Sequence, residues 1–66
     1  MKIDARKLEI IMAKALMNPK EVSEKAGISY PAFKRAWNQE SVKIATVGRI
    51  ANALGIDVTE ILAEEE

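Results

Sequence analysis

The sequence predicts an all-α fold, a compact bundle of five short helices. Three observations predict it. Every long stretch carries apolar residues at helical period, and none alternates apolar with polar residues as a half-buried strand does. Helix-start signals recur at Asp4, Asn18, Ser29 and Asp57. Stop signals stand at Gly27 and Gly55, each directly after a periodic segment.

Asp4 caps the first helix, whose apolar positions are Leu8, Ile11, Met12 and Ala15, with Ile10 and Leu16 flanking. Asn18-Pro19-Lys20-Glu21 starts the second: Asn18 is a good N-cap, Pro19 suits the first helical position, and Glu21 completes a capping box. Val22, Ser23 and Ala26 face inward, and Gly27 takes the left-handed conformation that ends the helix. Ser29 caps the third helix. Pro31 falls at its second position, where a missing N–H removes no intrahelical bond. Phe33, Ala36 and Trp37 form its inward stripe, which leaves Tyr30, Pro31, Lys34 and Arg35 on another face. After a polar turn over residues 38–43, the fourth helix carries Val47, Ile50, Ala51 and Leu54 and stops at Gly55. Its start is poorly marked, because Lys43 is a weak cap. Asp57-Val58-Thr59-Glu60 is a second capping box and opens the fifth helix, with Val58, Ile61 and Leu62.

At 66 residues the chain reads as one domain over 1–66, with Glu64, Glu65 and Glu66 as a short acidic C-terminal tail. A chain of this size buries only about 60% of the surface its unfolded form exposes. It has no cysteine, so disulfides and thiolate metal sites are not available to stabilise it. Self-association is the remaining way to bury more surface. Val58, Ile61 and Leu62 on the fifth helix are the expected contact of a weak homodimer.

Ten Lys and Arg balance ten Asp and Glu, yet the charge is unevenly placed. Residues 1–49 carry all ten basic side chains and five acidic ones, a net of +5, and residues 50–66 carry the other five acids, a net of −5. A basic side and an acidic end point to a phosphate-bearing partner. With no His and no Cys, the usual nucleophile–base pairs and most transition-metal sites are excluded. No glycine-rich phosphate loop is present, and acid pairs such as Glu21 with Glu24 read as solvated faces. Neither enzymatic activity nor a cofactor nor a metal is expected. The longest apolar run, Ile10 to Ala13, is far too short for a membrane span or a signal-peptide core, so a cytoplasmic protein is expected.

A short helix, a glycine turn and a second helix with fixed inward positions is the layout of a helix-turn-helix. Val22 and Ser23 are its apolar and small inward residues, Ala26, Gly27 and Ile28 its turn, and Phe33 and Ala36 the anchors of the following helix. With the stretches VSEKAGIS, FKRAWN and RIANALGIDVTEIL, the chain resembles the phage repressor and Cro family, also called the Xre family. The resemblance runs over residues 5–63, and the ALGI segment separates it from other helix-turn-helix proteins.

The resemblance implies a lambda-repressor-like domain that binds double-stranded DNA sequence-specifically, usually as a two-fold dimer, and regulates transcription in a bacterium, phage or mobile element. It places the third helix, about residues 30–38, in the major groove. Carried over by position, Tyr30, Pro31, Lys34 and Arg35 face the bases: Arg35 forks onto a guanine, and Lys34 reaches a base or a phosphate. Phosphate contacts fall to Asn18, Pro19 and Lys20 at the second helix's start, to Ser29, and to Asn38 with its turn. The sequence departs from the family in three places, the third a pair of residues. Pro19 replaces a common glutamine, Gln39 replaces the usual glycine after Asn38, and Met12 with Trp37 replaces an opposite-charge pair. The apolar pair is expected to pack in the interior. The competing reading is a protein-interaction module, or an antitoxin with a protein partner, that uses the same helix-turn-helix surface.

Overall fold

Four α-helices and one 3-10 turn form in chain order: α1 (Ala5–Ala15), α2 (Pro19–Ala26), α3 (Tyr30–Trp37), α4 (Ile44–Leu54) and the turn Val58–Glu60. The computed structural model describes residues 1–63, so the acidic tail Glu64 to Glu66 and its expected placement lie outside the described residues. The helix starts follow local chemistry. Asp4 accepts from the Arg6 and Lys7 amides, Asn18 and Glu21 close a capping box, and Ser29 accepts from Ala32. Pro19 and Pro31 each sit in a first turn, where no acceptor waits for an N–H.

The expected fifth helix is a correction: the count is four, with a single 3-10 turn where the fifth was placed. The capping box at Asp57 and Glu60 does form. Thr59 donates through both its hydroxyl and its N–H to Asp57, which holds that carboxyl below its ordinary range. The helix does not continue because the chain ahead of it is claimed by extended pairing. Asp4 N–H donates to the Ile61 carbonyl at 2.8 Å, Ala63 N–H donates to the Lys2 carbonyl at 3.0 Å, and Ile3 and Leu62 form an antiparallel bridge. Val42 N–H also donates to the Met1 carbonyl at 2.7 Å. Residues 1–3 therefore tie the segment before α4 to the segment after the 3-10 turn.

This arrangement also bears on the residues of the expected dimer contact. Ile61 is fully buried within one chain, and Val58 and Leu62 pack partly against the same core. Of the three, Ile61 has no surface left for a partner, and Val58 and Leu62 keep only part of theirs.

One core unites all elements: Ile3, Leu8, Met12, Val22, Ala26, Phe33, Ala36, Val47, Ile50, Ala51, Ala53 and Ile61. Full burial of a side chain such as Phe33 or Val22 is worth roughly 1.5–3 kcal/mol. Ser23 is the polar exception. Its small size lets α2 approach its neighbours, and its hydroxyl donates to the Lys20 carbonyl at 2.8 Å. Met12 is buried, whereas Trp37 is only half-buried, with its ring tilted against Phe33 at 6.0 Å between centroids. The apolar stripe of α1 is narrower than its periodicity suggests. Ala15 is exposed, as are Ile10 and Leu16, the last at 89%.

All four α-helices end alike. A residue in left-handed backbone is followed by one whose N–H bonds five residues back: Met17 to Met12, Ile28 to Ser23, Glu40 to Arg35, Ile56 to Ala51. Glycine supplies the left-handed position after α2 and α4, but Leu16 (φ 60°) and Gln39 (φ 64°) supply it after α1 and α3. Met17, Ile28 and Ile56, directly after three of these positions, pack against the core. Burial of the next apolar residue draws the chain through the left-handed position, even for Leu16.

Candidate nucleic-acid interface

α2 and α3 pack through Val22, Ser23 and Ala26 on one side and Phe33 and Ala36 on the other, all buried. The turn between them is Gly27 (φ 73°), Ile28 and Ser29. A side chain at Gly27 would need that strained φ, and its Cβ would lie 3.5 Å from the Arg49 guanidinium of α4. With its inner face fixed, α3 presents Tyr30, Pro31, Lys34 and Arg35, all exposed.

These four residues do not form one uniform face. Lys34 lies toward the start of α2, where Pro19, Tyr30, Phe33, Lys34, Trp37 and Asn38 line a cleft of about 340 Å³. Its Nζ stands over the Tyr30 ring, 5.9 Å from the centroid. Arg35 lies toward the start of α4, where Ala32, Arg35, Ser41, Val42, Lys43 and Thr46 line a second cleft of about 330 Å³. α3 thus has an aromatic flank and a flank lined by Arg35, Lys43 and polar side chains.

The helix starts on the two flanks differ as well. At α2, the Asn18 Oδ1 accepts the Glu21 N–H at 2.8 Å, and the Glu21 carboxylate accepts the Asn18 N–H at 2.9 Å. Pro19 has no N–H, so the Lys20 amide and the Asn18 Nδ2 are the donors left at that end, beside a carboxylate. At α4, Lys43 makes no side-chain cap. Its carbonyl accepts from Thr46 and Val47 at 3.0 and 3.2 Å. The Ile44 and Ala45 amides have no acceptor among the described residues, and the Ile44 side chain is 75% exposed.

The sequence-predicted site residues divide accordingly. Asn18 and Ser29 are exposed, but each uses an oxygen to cap a helix. Pro19 is half-buried in the wall of the aromatic cleft, and Lys20 is exposed one residue on. Asn38 is the exposed C-cap of α3. Gln39 keeps the left-handed backbone that a glycine would take, so the turn after α3 retains its shape. The sequence does not single out Ser41 or Thr46, which line the Arg35 flank, and Lys43 beside them reads from sequence as a surface charge. The available signal was the weak cap at Lys43, which marks a helix start with free donors.

A family model described as a Cro/C1-type HTH DNA-binding domain matches residues 7–65. The chain belongs to this family. Its helix-turn-helix is α2, the turn at Gly27 and α3. Comparison with curated proteins gives no match. Among solved structures, one described as native PhpD with cadmium atoms is similar over 100% of this chain, at 21% identity and a TM-score of 0.84. That likeness concerns the fold alone. The chain spans 14% of the length of that protein, in which the same fold forms a small part of a larger molecule. Among the described residues, no helix is long and apolar enough to cross a membrane.

Proposed function

We propose that this member of the Cro/C1-type family is a sequence-specific, double-stranded DNA-binding regulator of transcription that inserts α3 into the major groove. The observation that carries the reading is the two-sidedness of α3. Phe33 and Ala36 lock its inner face, while Tyr30, Pro31, Lys34 and Arg35 stand exposed at its start and middle. Arg35 makes a bidentate contact to a guanine, and Pro31 meets a thymine methyl, with Tyr30 at the edge of this face. The Arg35 flank supplies phosphate contacts from Lys43, Ser41, Thr46 and the open start of α4. Lys20, Asn18 and Asn38 add contacts on the opposite flank. Two copies on a near-palindromic site would set their reading helices about 34 Å apart.

The test is selection of binding sites from random duplexes, followed by titration of the selected duplex and a scrambled one across salt. A recurrent site, bound tightly and with steep salt dependence, is the expected result. Loss of all sequence preference would end the specific-regulator reading. Binding to a protein partner through this surface, with shallow salt dependence and no DNA affinity, would favour the interaction-module reading.

A further inference from the structure

We propose that Tyr30 is a positioning residue that holds Lys34 against the α2 flank. The two adjacent cations of α3 then take separate roles, Lys34 on backbone phosphate and Arg35 on a base edge. The inference rests on the DNA-binding reading and adds a division of labour to it. Tyr30 and Lys34 are four residues apart and share a helix face. The Lys34 ammonium stands 5.9 Å from the Tyr30 ring centroid, within the range of cation–π attraction. Tyr30 is 46% exposed, so the ring acts as a platform at the surface rather than as core.

The neighbouring helix start gives the arrangement its use. At α2 the capping box and Pro19 leave few backbone donors, and the Glu21 carboxylate opposes an incoming anion. A phosphate at this flank needs positive charge from the other wall of the cleft, and Lys34 is in that wall. An ammonium is a compact point charge that suits phosphate from many directions, whereas the planar fork of Arg35 suits a guanine edge. Resting Lys34 on the ring also limits the rotamer freedom it loses when DNA arrives.

Two measurements test this. In the protein alone, proton NMR should find the Lys34 side-chain methylenes shifted upfield by the Tyr30 ring. Tyr30→Phe should keep the shift and Tyr30→Leu should abolish it. With DNA, Lys34→Ala should weaken the selected and scrambled duplexes by the same factor and flatten the log–log salt slope by about 0.9. Tyr30→Leu should move both readings in the same direction by less, and Tyr30→Phe should lose less than Tyr30→Leu on both duplexes. Unshifted Lys34 methylenes would overturn the positioning role. So would Tyr30→Phe binding as poorly as Tyr30→Leu, since the hydroxyl would then be the contact. A loss for Lys34→Ala on the selected duplex alone would make Lys34 a base reader and overturn the division. If the unmodified protein binds no DNA, the phosphate role falls together with the DNA-binding reading, a result distinct from each of the others.

Discussion

The start of α2 and the start of α4 lie on opposite flanks of α3 and solve the same problem in opposite ways. Each leaves first-turn N–H groups without intrahelical partners. At α2 the chain leaves only the Lys20 amide, because Asn18 accepts from Glu21 and the proline brings no N–H. At α4 the Ile44 and Ala45 amides stay open among the described residues, because Lys43 makes no side-chain cap. A closed start stabilises the fold without help. An open start beside Lys43 and Arg35 stays less stable and keeps donors and charge available for an anion. The contrast teaches that a missing cap in a small domain can mark where a partner completes the structure.

The largest expected effect comes from removing the cation that stands beside the open start. Arg35→Ala should cost about 1–3 kcal/mol on the selected duplex and relax preference at one base pair. Equal losses on selected and scrambled duplexes would place Arg35 on phosphate and erase the division between flanks. Next is the closed start. Asn18→Ala should lower fold stability by about 1 kcal/mol, seen in urea or thermal unfolding. Its effect on the DNA salt slope should be small, because Asn18 carries no charge; a slope lowered by about one unit would mean that the cap itself holds a phosphate-bound cation in place.

Closing the open start sharpens the comparison further. Lys43→Ser should stabilise the fold by about 1 kcal/mol through a new cap. It should weaken DNA binding at the same time by removing a charge. Lys43→Ala separates the two effects, because it loses the charge and gains no cap. If Lys43→Ser bound DNA as well as the unmodified protein, the α4 flank would carry no phosphate. The smallest effect concerns the turn that joins α3 to the open start. Gln39 holds φ 64°, and Gln39→Gly should stabilise by roughly 0.5–1 kcal/mol, with no change in the preferred site.

Much of this was legible in the sequence because it depends on groups within a few residues of one another. Asp4, Asn18 with Glu21, Ser29, and Gly27 and Gly55 each act on their own turn of helix, and each is found in its expected role. The inward residues Val22, Ser23, Phe33 and Ala36 follow from helical period alone, and with them the exposure of Tyr30, Lys34 and Arg35. The resemblance to the repressor and Cro family rests on those same residues.

The tertiary structure decided what depends on distant partners. Asp57 and Glu60 close a capping box, yet pairing of Ile61 to Ala63 with residues 2–4 stops the helix after one turn. No local signal announces a partner nearly sixty positions away, as the bridge between Ile3 and Leu62 requires. The same holds for Leu16, which carries no preference for left-handed backbone and takes it where Met17 beyond it packs, half-buried, against the core. Period places Lys34 and Arg35 side by side on α3, but only the packing of α2 and α4 around that helix gives one an aromatic cleft and the other an uncapped helix start. Local chemistry thus set where most helices begin and which face they bury, and long-range packing set where two of them end and what each exposed cation can reach.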